Sequence, residues 1–213
     1  MPEWNLIELP DNVSYEQAAM MEPMAVALHA VRRFNIPDDA SVCVIGLGTI
    51  GLLLTMFLKA RGIQNVYVVG NKEMQKHFAV RLGIDEQHYN ADSIQADYVF
   101  ECVGKNDTVN RAIEFAVSAG HIVLVGNPYS DMSMSKDTYW KILRKQLKLS
   151  GTWNSSYTGA EDDDWHYVLK MLANEEIHPE MFITHKYPLQ DIQTGMEIMR
   201  DKAQEYVKIM CRN

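Results

Sequence analysis

Gly46-Leu47-Gly48-Thr49-Ile50-Gly51 sets three glycines at GxGxxG spacing, directly after the apolar run Val42-Cys43-Val44-Ile45 and ahead of a Leu-, Met- and Phe-rich stretch from Ile50 to Arg61. Between a strand and a helix that spacing has a physical purpose. Gly46 permits the tight turn, Gly48 leaves room for a pyrophosphate to approach the backbone, and Gly51 allows the helix to pack close to the strand. The unpaired amides of the helix N-terminus, at Thr49 and Ile50, then face the phosphates with a partial positive charge. A bare GxGxxG also fits an ordinary glycine-rich turn. The strand before it, the helix after it and a second apolar run, Val66-Tyr67-Val68-Val69, about twenty residues on predict a dinucleotide site.

The cofactor's ribose end is less conventional. In NAD sites the second strand ends in an acid that accepts hydrogen bonds from the adenosine ribose, and here the chain reads Val69-Gly70-Asn71-Lys72. No carboxylate stands there to repel a 2′-phosphate, and Lys72 offers an ammonium to pair with one, which favours NADP. Lys72 as a solvated first-turn residue beside Glu73 is the alternative, and it leaves NAD open.

These residues require a sheet to hold them. Tyr98-Val99-Phe100 and Ile122-Val123-Leu124-Val125 repeat the pattern of apolar strands without polar alternates, as expected of strands covered on both faces, and a sixth strand is expected near Leu147 to Thr152. Helices are predicted between them at 72–82, 108–118 and 137–146, with further ones at 161–173 and 189–201. The alternation predicts an α/β fold: a doubly wound, parallel, six-stranded Rossmann sheet with helices on both faces. The first forty residues read instead as a loop followed by helical periodicity from Tyr15 to Phe34, divided at Pro23. The run Tyr206 to Cys211 reads as an edge strand with no complementary run nearby.

Composition narrows the function classes. The 213 residues are 47% hydrophobic and 23% charged, an ordinary globular balance. A net charge of −8 opposes generic binding to nucleic acid or an anionic membrane and leaves a small molecule as the expected partner. Cys43, Cys102 and Cys211 lack CxxC spacing and read as buried thiols of a reducing, cytoplasmic compartment. No apolar run approaches a membrane span and nothing reads as a signal peptide. Glu161-Asp162-Asp163-Asp164 reads as acid at a helix start rather than a cation site, and Glu101 as a carboxylate paired at the sheet rim.

Glu22-Pro23-Met24-Ala25-Val26-Ala27-Leu28-His29, the glycine loop, Phe100-Glu101-Cys102-Val103-Gly104, Val123-Leu124-Val125-Gly126 and Gly151-Thr152-Trp153-Asn154 together resemble the zinc-dependent medium-chain dehydrogenase/reductase family. The likeness is to its polyol branch, the galactitol-1-phosphate, sorbitol and threonine dehydrogenase group, and runs through essentially the whole chain. It implies hydride transfer between a nicotinamide and the carbon of a secondary alcohol in a sugar alcohol or sugar-alcohol phosphate, giving a ketone, with zinc polarising the oxygen. By position it implies Glu22 as a catalytic zinc ligand. It also implies cofactor contacts from Ile50, from Gly70 to Lys72, from Cys102, Val103 and Gly104, from Val125, Gly126 and Asn127, and from Thr152, Trp153 and Asn154. The family's Cys and His-Glu zinc ligands have no counterpart here, nor does its four-cysteine lobe, so zinc is expected to be absent from this chain and Glu22 to be an incomplete site. The resemblance divides the chain into 1–34, a remnant of a GroES-like catalytic domain, 35–182, the NAD(P)-binding domain, and 183–213, a helix and strand returning to the catalytic domain. It further implies a truncated chain, inactive alone, and a homodimer through the edge near Leu147 to Thr152. Two positions depart from relatives, Asn154 and Gln75 each standing where an Arg is usual. A non-catalytic NAD(P)-binding sensor or pseudoenzyme is the competing reading.

Overall fold

The computed structural model describes residues 2–128 and 130–213. Two short helices open it, α1 (Tyr15–Ala18) and α2 (Met21–Arg32). The break between them lies before Pro23, not at it: Pro23 is in the first turn of α2, where its missing amide costs no hydrogen bond. The sequence expectation of a helix divided at Pro23 is therefore corrected, and Glu22 and His29 share one continuous helix.

There follow β1 (Ser41–Ile45), α3 (Thr49–Ala60), β2 (Asn65–Val69), α4 (Glu73–Arg81), β3 (Ala96–Glu101), α5 (Asn106–Phe115), β4 (Ala116–Leu124), α6 (Lys136–Lys145) and β5 (Lys148–Gly151). The five strands form one sheet in the order β2-β1-β3-β4-β5, and every pairing is parallel. The order reverses between β1 and β3, so the crevice of a doubly wound sheet opens beyond the carboxyl ends of those strands. Five strands stand where six were expected. The outer place beside β2 is reduced to a single bridge, Val68 to Tyr89. The segment supplying it, Glu86 to Asn90, carries no apolar run; it forms a 3-10 turn and then enters the left-handed region at Asn90 (φ 51°).

Alternate strand residues feed two cores. Val42, Val44, Val66, Val68 and Phe100 pack with α2, α3 and α7 (Asp164–Ala173) on one face. Cys43, Ile45, Val69, Val99 and Ile122 pack with Ala112 and Ile113 of α5 and with Ile142 of α6 on the other. Both faces are covered, which is why these strands lack polar alternates.

The chain ends with β6 (Ile183–Pro188), α8 (Ile192–Asp201) and β7 (Lys208–Arg212). β7 has a partner after all: it pairs in parallel with β6 to form a separate two-stranded sheet. The mixed polarity of Thr184, His185 and Lys186 hides β6 from hydropathy, because this small sheet is only half-buried. Among the described residues no helix is long and apolar enough to cross a membrane.

Candidate functional site

The glycine loop has the geometry its spacing requires. Gly46 follows β1 at φ +95°, its amide donating to the Val69 carbonyl at 2.9 Å, and a β-carbon there would collide with Val103. Gly51 lies on Gly46: a β-carbon at Gly51 would overlap the Gly46 carbonyl oxygen. Gly48 is the opposite case, the N-cap of α3 at φ −73°, where an added β-carbon would meet nothing within 4 Å. Two glycines are demanded by the protein's own packing; the third keeps a space clear beside the first turn of α3. Thr49 anchors the loop by donating its hydroxyl to the Val207 carbonyl at 2.7 Å.

A buried carboxylate organises the neighbouring turns. Glu101, 1% exposed at the end of β3, accepts hydrogen bonds from the Val103 amide (2.8 Å) and the Gly104 amide (2.9 Å). Its own carbonyl accepts from the Val125 and Gly126 amides at 2.8 and 2.9 Å. The partners are backbone amides rather than a cation at the rim, so Glu101 holds the Cys102–Gly104 turn against Val125–Asn127. Close approach of the two turns explains their glycines: β-carbons at Gly104 and Gly126 would strike Asn127 and the Val103–Gly104 backbone.

Beyond these turns lies a cavity of about 210 Å³ lined by Glu22, Val26, Ile50, Val125, Asn127, Thr152, Trp153 and Asn154. It thus unites Glu22 with six of the residues expected at the cofactor. Trp153 is 72% exposed, and Asn154 sits in the left-handed region at φ 54°. The Thr152 Oγ1 atom is buried with no hydrogen-bond partner among the described residues; an orphaned buried hydroxyl costs free energy that a bound polar group would recover.

Gly70, Asn71 and Lys72 lie apart from that cavity, at the end of β2. Asn90 brackets Gly70, accepting from its amide (3.1 Å) and donating to its carbonyl (2.8 Å). The Asn71 amide donates to Gln75 Oε1 at 2.9 Å, and the Tyr89 hydroxyl to the Lys72 carbonyl at 3.1 Å. The Lys72 ammonium lies 5.8 Å from the centre of the Tyr206 ring.

Sequence reasoning missed Asp164. The acidic run does start a helix, with Asp163 capping α7 through the His166 amide at 2.9 Å. Asp164, however, is 3% exposed and accepts from His29 Nδ1 (2.7 Å), Arg32 (3.2 Å) and the Ser156 amide (2.7 Å). It ties α7 to α2 and so fixes the helix that carries Glu22. It also gives His29 a structural partner.

Of the cysteines, only Cys43 is fully buried; Cys102 and Cys211 are half-buried, and all three are free thiols. Burial pushes the Cys43 and Cys102 thiols up, away from thiolate chemistry. Glu22 is exposed in the first turn of α2. Among the described residues no group of three or more His, Cys, Asp or Glu side chains is placed to hold a metal ion. A zinc centre needs about four ligands, so these residues do not fit one by themselves.

Residues 49–174 match the family model described as zinc-binding dehydrogenase. The chain belongs to that family. Among curated relatives, galactitol 1-phosphate 5-dehydrogenase of Escherichia coli K12 is 27% identical over 194 residues, which cover 85% of this chain and 56% of that protein. The chain thus spans a little over half the length of this relative. Among solved structures, 2R,3R-butanediol dehydrogenase from Bacillus subtilis is 28% identical with a TM-score of 0.80, over 97% of this chain and 60% of the other. An alcohol dehydrogenase from E. coli CFT073, complexed with NADH, shares the fold at a TM-score of 0.84 and 20% identity, over 100% of this chain and 64% of its own.

Proposed function

We propose that this chain is the dinucleotide-binding part of an oxidoreductase that moves a hydride between NAD or NADP and the carbon of a secondary alcohol, with a polyol or polyol phosphate as substrate. The observation that carries the reading is the division of labour in the glycine loop. Gly46 and Gly51 are required by packing, whereas a β-carbon at Gly48 would meet nothing within 4 Å among the described residues, which is what a pyrophosphate seat looks like before the pyrophosphate arrives.

The residues fit the cofactor along its length. The first-turn amides of α3 would receive the pyrophosphate, the β2 end the adenosine ribose, and the cavity of Ile50, Val125 and Thr152 the nicotinamide end, where the orphaned Thr152 hydroxyl would gain a partner. When bound, the nicotinamide ring supplies the hydride donor or acceptor. Val125 and Ile50 wall the cavity with apolar surface that excludes water, while Glu22, Asn127 and Asn154 place polar atoms at its mouth, where an alcohol's hydroxyls would bind. Glu22 does not assemble a metal centre with its described neighbours, so no step is assigned to zinc here. Groups that hold the alcohol oxygen would come from the remaining length found in relatives, which makes the isolated chain a binder with little or no turnover. In this reading residues 35–182 carry the cofactor, 1–34 and 183–213 belong to the catalytic side, and the protein works in the cytoplasm. Among the described residues β5 lies at an open edge of the sheet with Leu149 exposed on it, and Trp140 and Leu143 of α6 are exposed as well, which supports a homodimer.

Titration with NADH and NADPH, followed by nicotinamide fluorescence, tests the reading. Saturable binding of at least one at micromolar concentration is expected, and failure of both to bind at millimolar concentration would overturn it.

A further inference from the structure

Gly70 follows β2, so the strand end contributes no carboxylate to the ribose end of the site, yet the fold brings one from a distant part of the chain to the first turn of the next helix, α4. Glu205, in the segment between α8 and β7, accepts a hydrogen bond from the Met74 amide at 3.3 Å, in the first turn of α4. The N-cap of that helix, Lys72, makes no side-chain cap of its own. The next residue, Tyr206, draws the Lys72 ammonium over its ring, so the cation that the sequence offers to a 2′-phosphate is turned toward the same segment. That segment is not a loose tail. Its Val207 carbonyl takes the hydrogen bond from Thr49 in the glycine loop, and its Val207 amide donates to Thr184 Oγ1 at 3.2 Å.

We propose that Glu205 is the cofactor-specificity residue of this protein, standing in for the missing acid at the end of β2 and turning the site toward NAD and against NADP. The inference rests on the dinucleotide reading above. A carboxylate beside a ribose accepts hydrogen bonds from its hydroxyls, whereas a 2′-phosphate brings a charge of about −1.5 to −2. At roughly 5 Å in near-aqueous surroundings, repulsion of that size weakens binding on the order of tenfold. Because the carboxylate comes from residue 205 rather than residue 70, the choice of cofactor depends on the docking of the C-terminal segment.

The test is Glu205→Gln, which keeps a side-chain acceptor for the Met74 amide while removing the charge. Kd values for NADH and NADPH are measured for the wild type and the variant at low and high ionic strength. The wild type is expected to bind NADH about tenfold or more tighter than NADPH. The variant is expected to gain about tenfold for NADPH and to lose a few-fold at most for NADH, and the wild-type preference should shrink as salt screens the charge. Binding of both dinucleotides with an unchanged ratio in the variant, or a wild-type preference for NADPH, overturns the assignment of Glu205 and leaves the dinucleotide reading standing. Loss of all binding in the wild type overturns both.

Discussion

Replacing Gly48 by alanine separates what the protein needs from what its ligand needs. The backbone there, φ −73° and ψ −169°, suits any residue, and an added methyl would meet no protein atom within 4 Å. Fixing the unfolded chain at a compatible position stabilises by about 0.4–1 kcal/mol. Alanine is a poorer N-cap than glycine by a similar amount, roughly 0.5–1 kcal/mol. The two effects offset, and for a chain of this size the melting temperature should move by no more than about 2 °C. Dinucleotide affinity should nevertheless fall by about tenfold or more, because the methyl occupies the pyrophosphate's approach. Gly51→Ala is the internal control. Its methyl would be driven into the Gly46 carbonyl oxygen, an overpacking cost of about 3 kcal/mol, lowering the melting temperature by roughly 6–12 °C. Differential scanning fluorimetry with and without NADH reads both quantities. A Gly48→Ala protein that melts normally and binds NADH as tightly as the wild type would refute the reasoning.

Three further outcomes follow from other buried groups. Glu101→Ala strands the Val103 and Gly104 amides that its carboxylate now accepts and should cost about 2–4 kcal/mol in urea unfolding; an unchanged midpoint would show that the turns hold without it. Thr152→Val removes the orphaned hydroxyl, so stability should hold or rise by up to about 1 kcal/mol while dinucleotide affinity drops, and loss of stability would mean the hydroxyl has a partner in the protein. Asp163 gives a pH signature. Burial pushes its carboxyl up, but hydrogen bonds from the His166, Thr158 and Gly159 amides and the His166 ring outweigh this and hold it down to about 2. A carboxyl depressed in the folded state stabilises above its ordinary value of 3.8 and loses that contribution as pH falls to about 2, a swing of about 2 kcal/mol. Between pH 4 and pH 2, Asp163→Asn should therefore lose less stability than the wild type; parallel acid limbs would contradict this.

The parts legible in sequence are those governed by local rules. Apolar runs without alternation marked β1 to β4 because both faces of the sheet are covered there, and the glycines announced a turn whose geometry depends on having no side chain. What escaped depends on residues far apart in the chain. Asp164 looked like helix-start chemistry because its neighbour Asp163 is just that; its own partners, His29 and Arg32, lie about 130 residues away. Glu205 and Met74 are joined only by folding. The place beside β2 holds only the bridge at Tyr89 because Ile84 to Asn90 offers too few apolar residues to bury, and β6 went unread because a half-buried two-stranded sheet leaves no periodic signature. Pro23 misled for a positional reason: a proline that breaks a helix interior is harmless in its first turn.

The central claim is tested most directly by a crystal structure of the protein grown with NADH. The pyrophosphate should lie within hydrogen-bond distance of the first-turn amides of α3 and against Gly48, with the nicotinamide in the cavity of Ile50, Val125 and Thr152. A dinucleotide bound elsewhere, or a Gly48 face closed by the protein's own side chains, would contradict it.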